Sequence, residues 1–238
     1  MSELPAANMN EVPTGRCIGL IGGLGVGASV YYYEELAKMH AARGCVMNLV
    51  MAHAHVNRVL GAVQAGDKDG LAAYLAALIA RLKAAGAQFA IVPAVAPHIA
   101  IQELIQLSPL PMMNLIQEIQ HEIEARQLRR IALFGTRFAV ESRLFGQLQG
   151  IEVVTPQPDE VDYIHATYLQ LVGAGAGLVS QREGLSRLAH RLMERDRVQA
   201  VILAGTELAL VFDEGNTDFP NVNSARLHLN AIARRAMD

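Results

Sequence analysis

The sequence predicts an α/β protein of two pseudo-symmetric lobes, each a parallel sheet flanked by helices, with a cleft between them. Three observations carry that expectation. Apolar runs of strand length alternate with longer segments of helical period along most of the chain, the pattern of parallel strands joined by crossover helices. Most of those runs are nearly continuous in Ala, Val, Ile and Leu, as in strands covered on both faces. Two strand ends also echo each other: Ala90-Ile-Val-Pro-Ala94 and Ala200-Val-Ile-Leu-Ala204 each break into a loop and then a helix. With 238 residues, the chain has room for two lobes of about 110 each.

In chain order, a strand over residues 17–21 runs into a glycine loop at 22–27 and a helix over about 28–42. The apolar run 45–51 reads as a second strand buried on both faces. Asp67 is placed to cap the long Ala/Leu helix that ends near Gly86. Residues 88–92 form the next strand, stopped by Pro93 and Pro97. Strands at 130–134 and 151–154 follow, with residues 141–149 helical between them. A helix over 160–172 enters the glycine-rich turn 173–177, and a second over 183–195 leads to the strand 198–203. A short strand near 219–222 and a helix from Ser224 close the chain.

Composition narrows the function. Apolar residues make up 52% and charged residues 18%, with no tryptophan, so the interior is a packed core of small and branched side chains. Net charge is -3 and no basic run occurs, which argues against a nucleic-acid partner. The apolar stretch 18–30 is short and interrupted by five glycines, so it cannot span a bilayer. Residues 1–15 are polar, without a cationic start or cleavage-like site, which points to the cytoplasm. Cys17 and Cys45 each open an apolar run and read as buried structural thiols. No CxxC or Cys/His cluster suggests a metal.

Gly23, Gly25 and Ala28 fit the G-x-G-x-x-A spacing of a dinucleotide loop. That site also needs an acid about 20 residues on, at the end of the second strand. Here the strand ends in Ala52-His53-Ala54-His55. The loop therefore reads as a tight turn, or as a cradle for a small carboxylate at Gly23.

Four segments carry a resemblance. Ile18-Gly-Leu-Ile-Gly-Gly-Leu-Gly25, running into a helix with Tyr31-Tyr32-Tyr33, is similar to the opening of aspartate racemases. Leu133-Phe-Gly-Thr-Arg137 with Glu141 resembles the L-L-G-T-R…M-E segment of the aspartate/glutamate racemase family. Leu203-Ala-Gly-Thr-Glu-Leu208 resembles its G-C-T-E-[IL] motif, and Val92-Pro-Ala-Val-Ala-Pro-His98 falls where the family has P-C-N-T-x-H. Order and spacing match over nearly the whole chain.

The resemblance implies a cofactor-independent isomerase, a homodimer, and a last helix that returns to the first lobe. The lobes would then be residues 1–110 with 212–238, and 111–211. The implied mechanism sets two thiols on opposite faces of a small acidic amino acid or dicarboxylate, one removing the α-proton and one returning it. Matched position by position, Ala94 and Gly205 stand where those cysteines are expected, and Val95 and Ala96 replace the companion Asn and Thr. Val26 and Gly27 replace the usual Pro and Glu of the glycine loop.

Polar groups remain at other matched positions. Thr136 and Thr206 each follow a strand and are candidates to hold a carboxylate, or simply to cap helices. Arg58 is a candidate carboxylate clamp, or a solvated surface arginine. His98 and Glu207 are the candidate acid–base groups, with a structural histidine as the alternative for His98. His53 and His55 alternate at the strand end and would face opposite ways, which disfavours a metal pair. Two functions remain open: an enzyme with altered acid–base chemistry of isomerase or lyase type, or a pseudoenzyme that keeps ligand or partner binding.

Overall fold

The computed structural model describes residues 14–238; residues 1–13, with most of the polar leader, lie outside that range. Strand β1 (Ile18–Gly22) leads through the glycine loop into α1 (Val26–Ala42). Helix α1 buries Ala28, Tyr32, Leu36 and His40, four residues apart and therefore on one face. Strand β2 (Leu49–His53), α2 (Val56–Ala65) and α3 (Lys68–Ala84) follow. The Asp67 side chain caps α3 by accepting the Gly70 amide at 2.9 Å. Strand β3 (Phe89–Ile91), a 3₁₀ turn over Ala96–Ala100 and α4 (Ile101–Leu107) complete the first unit. Its sheet is parallel, in the order β2-β1-β3.

The second unit begins with α5 (Leu115–Ala125), β4 (Arg130–Gly135), α6 (Arg137–Glu141) and β5 (Glu152–Val154). It continues with α7 (Pro158–Ala174), α8 (Val179–Asp196), β6 (Ala200–Ala204) and a 3₁₀ turn over Thr206–Leu210. Strand β7 (Asn221–Asn223) and α9 (Ser224–Met237) end the chain. This sheet is also parallel, ordered β5-β4-β6-β7. In both sheets the first strand lies between the second and third, which is the pseudo-symmetry expected of the two lobes.

Three expectations change. The run 45–51 is not a strand covered on both faces. Strand β2 starts at Leu49, lies at the edge of its sheet, and leaves Met51 and His53 exposed. An edge strand has one neighbour, and an apolar run does not reveal which strand takes the edge. Residues 141–149 are not a helix: Arg143, Leu144 and Phe145 have positive φ, and only a short 3₁₀ turn forms at Leu144–Gly146. The Ser142 hydroxyl donates to Phe138 O and accepts the Phe145 amide, local bonds that compete with helix continuation. The boundary at 212 also moves, because β7 pairs with β6 in the second sheet. Helix α9 then packs against both α1 and α5. Its Ala225, Leu229 and Ile232 join Ile18, Tyr32 and Phe89 in one buried cluster.

Candidate functional site

In parallel sheets, ligand-bearing loops lie beyond the carboxyl ends of the strands. The two sheets are linked by such ends. Beyond β6, the Thr206 hydroxyl reaches the carbonyl of Pro93, beyond β3, at 3.2 Å. The same hydroxyl lies 3.2 Å from Glu207 Oε2, so its single proton is shared between two acceptors. Ala94, Thr206 and Glu207 are all buried here.

Glu207 Oε2 also accepts the Tyr168 hydroxyl at 2.5 Å. Helix α7 supplies that tyrosine, on the same buried stripe as Val161, Ile164 and Leu171. Burial pushes the Glu207 carboxyl above its usual range, against the hydrogen bonds from Tyr168 and Thr206 that pull it down. Burial, then the adjacent carboxyl, pushes the Tyr168 phenol well up. The Tyr168 ring lies on Gly205: a Cβ there would be 2.3 Å from ring carbon Cε2. Position 205 is closed to any side chain while that ring is in place. The other oxygen, Glu207 Oε1, abuts the glycine loop, 1.9 Å from where a Cβ on Gly25 would lie.

Behind this pair is a second buried polar group. The Tyr32 hydroxyl and His228 Nδ1 are 3.1 Å apart. His98 Nδ1 faces the Ala94 carbonyl at 2.8 Å and so carries the proton, while Nε2 accepts the Leu115 amide at 3.3 Å. Burial lowers His98 to about 4. Burial, then proximity to His98, lowers His228 to about 3.

The sequence candidates therefore divide. Thr206 and Glu207 come together at the lobe junction. His98 is buried nearby, but both ring nitrogens are committed to backbone groups, the geometry of a structural histidine. Thr136 caps α6, accepting the Ala139 amide at 3.1 Å. Arg58 is exposed, its guanidinium 4.2 Å from the Tyr74 ring centroid, and it lines neither of the cavities described below. The Gly23 amide donates to Ser29 Oγ at 3.2 Å, so it is not offered to a carboxylate. His53 and His55 are both exposed. Cys17 is buried and burial raises its thiol; Cys45 is only partly buried. Among the described residues, no three His, Cys, Asp or Glu side chains are grouped to hold a metal, and no helix is long and apolar enough to cross a membrane.

Sequence reasoning missed Tyr168. Its place on a helix stripe reads as core, and the polar tip was the only available signal. Among the described residues, two cavities are large enough for a small ligand. One of about 1070 Å³ lies between α1, α5, α9 and the segment before β7. Its arginines are met by carboxylates, Arg226 by Glu35 at 2.9 Å and Arg126 by Glu122 at 2.6 Å. The other, of about 600 Å³, lies between the glycine loop 23–27 and residues 172–175.

The family model for Asp/Glu/hydantoin racemases matches residues 21–232. The chain belongs to that family. An aspartate racemase homologue from Pyrococcus horikoshii OT3 has a similar structure, at 23% identity and TM-score 0.79, over 94% of this chain and 100% of that one. Picrophilus torridus aspartate racemase matches at 21% identity and TM-score 0.72, over 93% of this chain and 94% of its own. The glutamate racemase of Francisella tularensis, solved with D-glutamate, matches at 12% identity and TM-score 0.60, over 92% and 80% of the two chains. Likeness at these identities concerns the fold, and the two parallel lobes agree with it.

Proposed function

We propose that this racemase-family chain is a binding protein for a small amino-acid ligand that has lost two-base turnover. The observation that carries the reading is the Tyr168 ring on Gly205. Racemisation needs a proton carrier on each side of the substrate carbon. At one matched position stands the methyl of Ala94, buried in the first-lobe core. At the other, the space a thiol would need is filled by an aromatic ring. His98 offers no replacement, because both its nitrogens are engaged.

A second reading, altered acid–base chemistry of isomerase or lyase type, is favoured by one feature. Glu207 is a carboxyl raised by burial and joined to a phenol at 2.5 Å, a pairing suited to proton transfer. Proton NMR in deuterated water with aspartate, glutamate, maleate and a substituted malonate separates the two. The expected result is no loss of α-hydrogen signal and no conversion. Exchange or conversion that disappears in Glu207→Gln and Tyr168→Phe would establish the second reading.

A further inference from the structure

We infer that residues 93–98 form a strap that pins the two lobes shut, and that release of this strap exposes Thr206 and Glu207 to solvent. That the exposed face would receive a ligand rests on the reading of the chain as an amino-acid binder. The strap itself does not depend on it.

The junction is closed. Ala94, Tyr168, Thr206 and Glu207 are all buried, and none of them lines either cavity. A small molecule therefore reaches Glu207 only if the lobes move. The closure is concentrated on one short segment of the first lobe. Pro93 O accepts the Thr206 hydroxyl at 3.2 Å. His98 Nε2 accepts the first amide of α5, from Leu115, at 3.3 Å. His98 O accepts Gln147 Nε2, from the turn after α6, at 2.8 Å.

Val95 adds an apolar anchor to these three bonds. Its neighbours Ala94, Ala100 and Ile101 are buried in the first-lobe core. Val95 instead belongs to the second-lobe cluster that holds Leu115, Ala139, Val140 and Leu144. One side chain thus crosses the junction while those around it remain with their own lobe. The segment is also stiff. Pro93 and Pro97 fix two φ angles, and the His98 ring and amide bond back to Ala94 O and Val95 O. A stiff segment makes or loses its outward contacts together, as a local unit. Helix α9 packs on both α1 and α5, so the lobes stay joined on that side when the strap lets go. A valine at 95 favours the shut form, because its methyl groups leave water only there.

The test is native-state hydrogen exchange of the full chain, comparing the Leu115 amide with amides in the central strands β1 and β4. A strap that opens on its own lets Leu115 exchange at least about tenfold faster than those strands. Val95→Ala should speed Leu115 about tenfold more, from the apolar area it removes, and leave the strand amides unchanged. Gln147→Ala removes one hydrogen bond and should speed Leu115 about threefold. If Val95→Ala does not fold, Gln147→Ala decides by the same comparison. Labelling of Glu207 by a water-soluble carbodiimide, read by peptide mass, should rise by the same factors. Leu115 exchanging together with the strands would overturn the proposal, as would variants that speed both alike or leave Glu207 labelled at the original rate. Neither readout uses a ligand. A chain that bound no amino acid in calorimetric titration would sink the binding reading and leave the strap standing.

Discussion

Glycine at 205 and tyrosine at 168 form one unit, because the ring occupies the volume that a side chain at 205 would need. Gly205→Cys should therefore behave as an over-packing substitution and cost about 1–3 kcal/mol. Tyr168→Ala alone opens a cavity and removes a hydrogen bond from Glu207, at about 3–5 kcal/mol. Combined, the two should cost less than their sum by about 0.5–3 kcal/mol, read by urea denaturation of the four proteins. Simple additivity would mean that the ring and residue 205 do not share that space. His98 belongs at the same scale. His98→Ala strands the Ala94 carbonyl and the Leu115 amide, and should cost about 2–4 kcal/mol, the penalty of roughly two buried unsatisfied groups. Its identity was legible from the match to the racemase motif; its commitment to the backbone was not, since Leu115 is 17 residues away.

Among the elements, those set by local chemistry were the most legible. The Asp67 cap followed from a short acceptor before an Ala/Leu run. Asp67→Ala should cost about 1 kcal/mol, measured as a lower midpoint at unchanged m-value; a shift within error would mean that solvent caps α3 equally well. Elements whose fate depends on neighbours were harder to read. The run 45–51 has the composition of a buried strand, but β2 took an edge. Residues 141–149 have helical spacing, but Ser142 turns the chain within its own neighbourhood. Strand β7 is too short to declare its sheet, and only pairing with β6 assigns it.

For the whole molecule, the buried histidines set a direction for stability against pH. His98 and His228 titrate at about 4 and about 3 in the fold, below the ordinary value near 6.5. Between those limits the unfolded chain binds more protons than the folded one. Stability is thus complete above about pH 6.5 and falls as pH drops, by up to about 1.4 kcal/mol per pH unit for each histidine. Glu207, raised by burial, acts with the opposite sign: its stabilisation is present below the ordinary carboxyl range and is lost as pH rises through its raised value. Thermal unfolding should show a melting temperature that declines from pH 6.5 towards 4, with a shallower decline in His228→Phe. A decline of the same steepness in that variant would show that His228 is not a source of it.

The sequence by itself determined the alternation of strands and helices, the two-lobed parallel fold, the family, and the non-ionisable residues at 94 and 205. Those follow from periodicity, local propensity and residue identity, all of which can be read along the chain. Only the tertiary structure decided what fills the junction between the lobes. Tyr168 lies 39 residues from Glu207, His228 lies 196 from Tyr32, and Thr206 lies 113 from Pro93. Contacts of that separation form when the sheets pack, and packing decides whether a polar side chain faces a ligand or another part of its own chain.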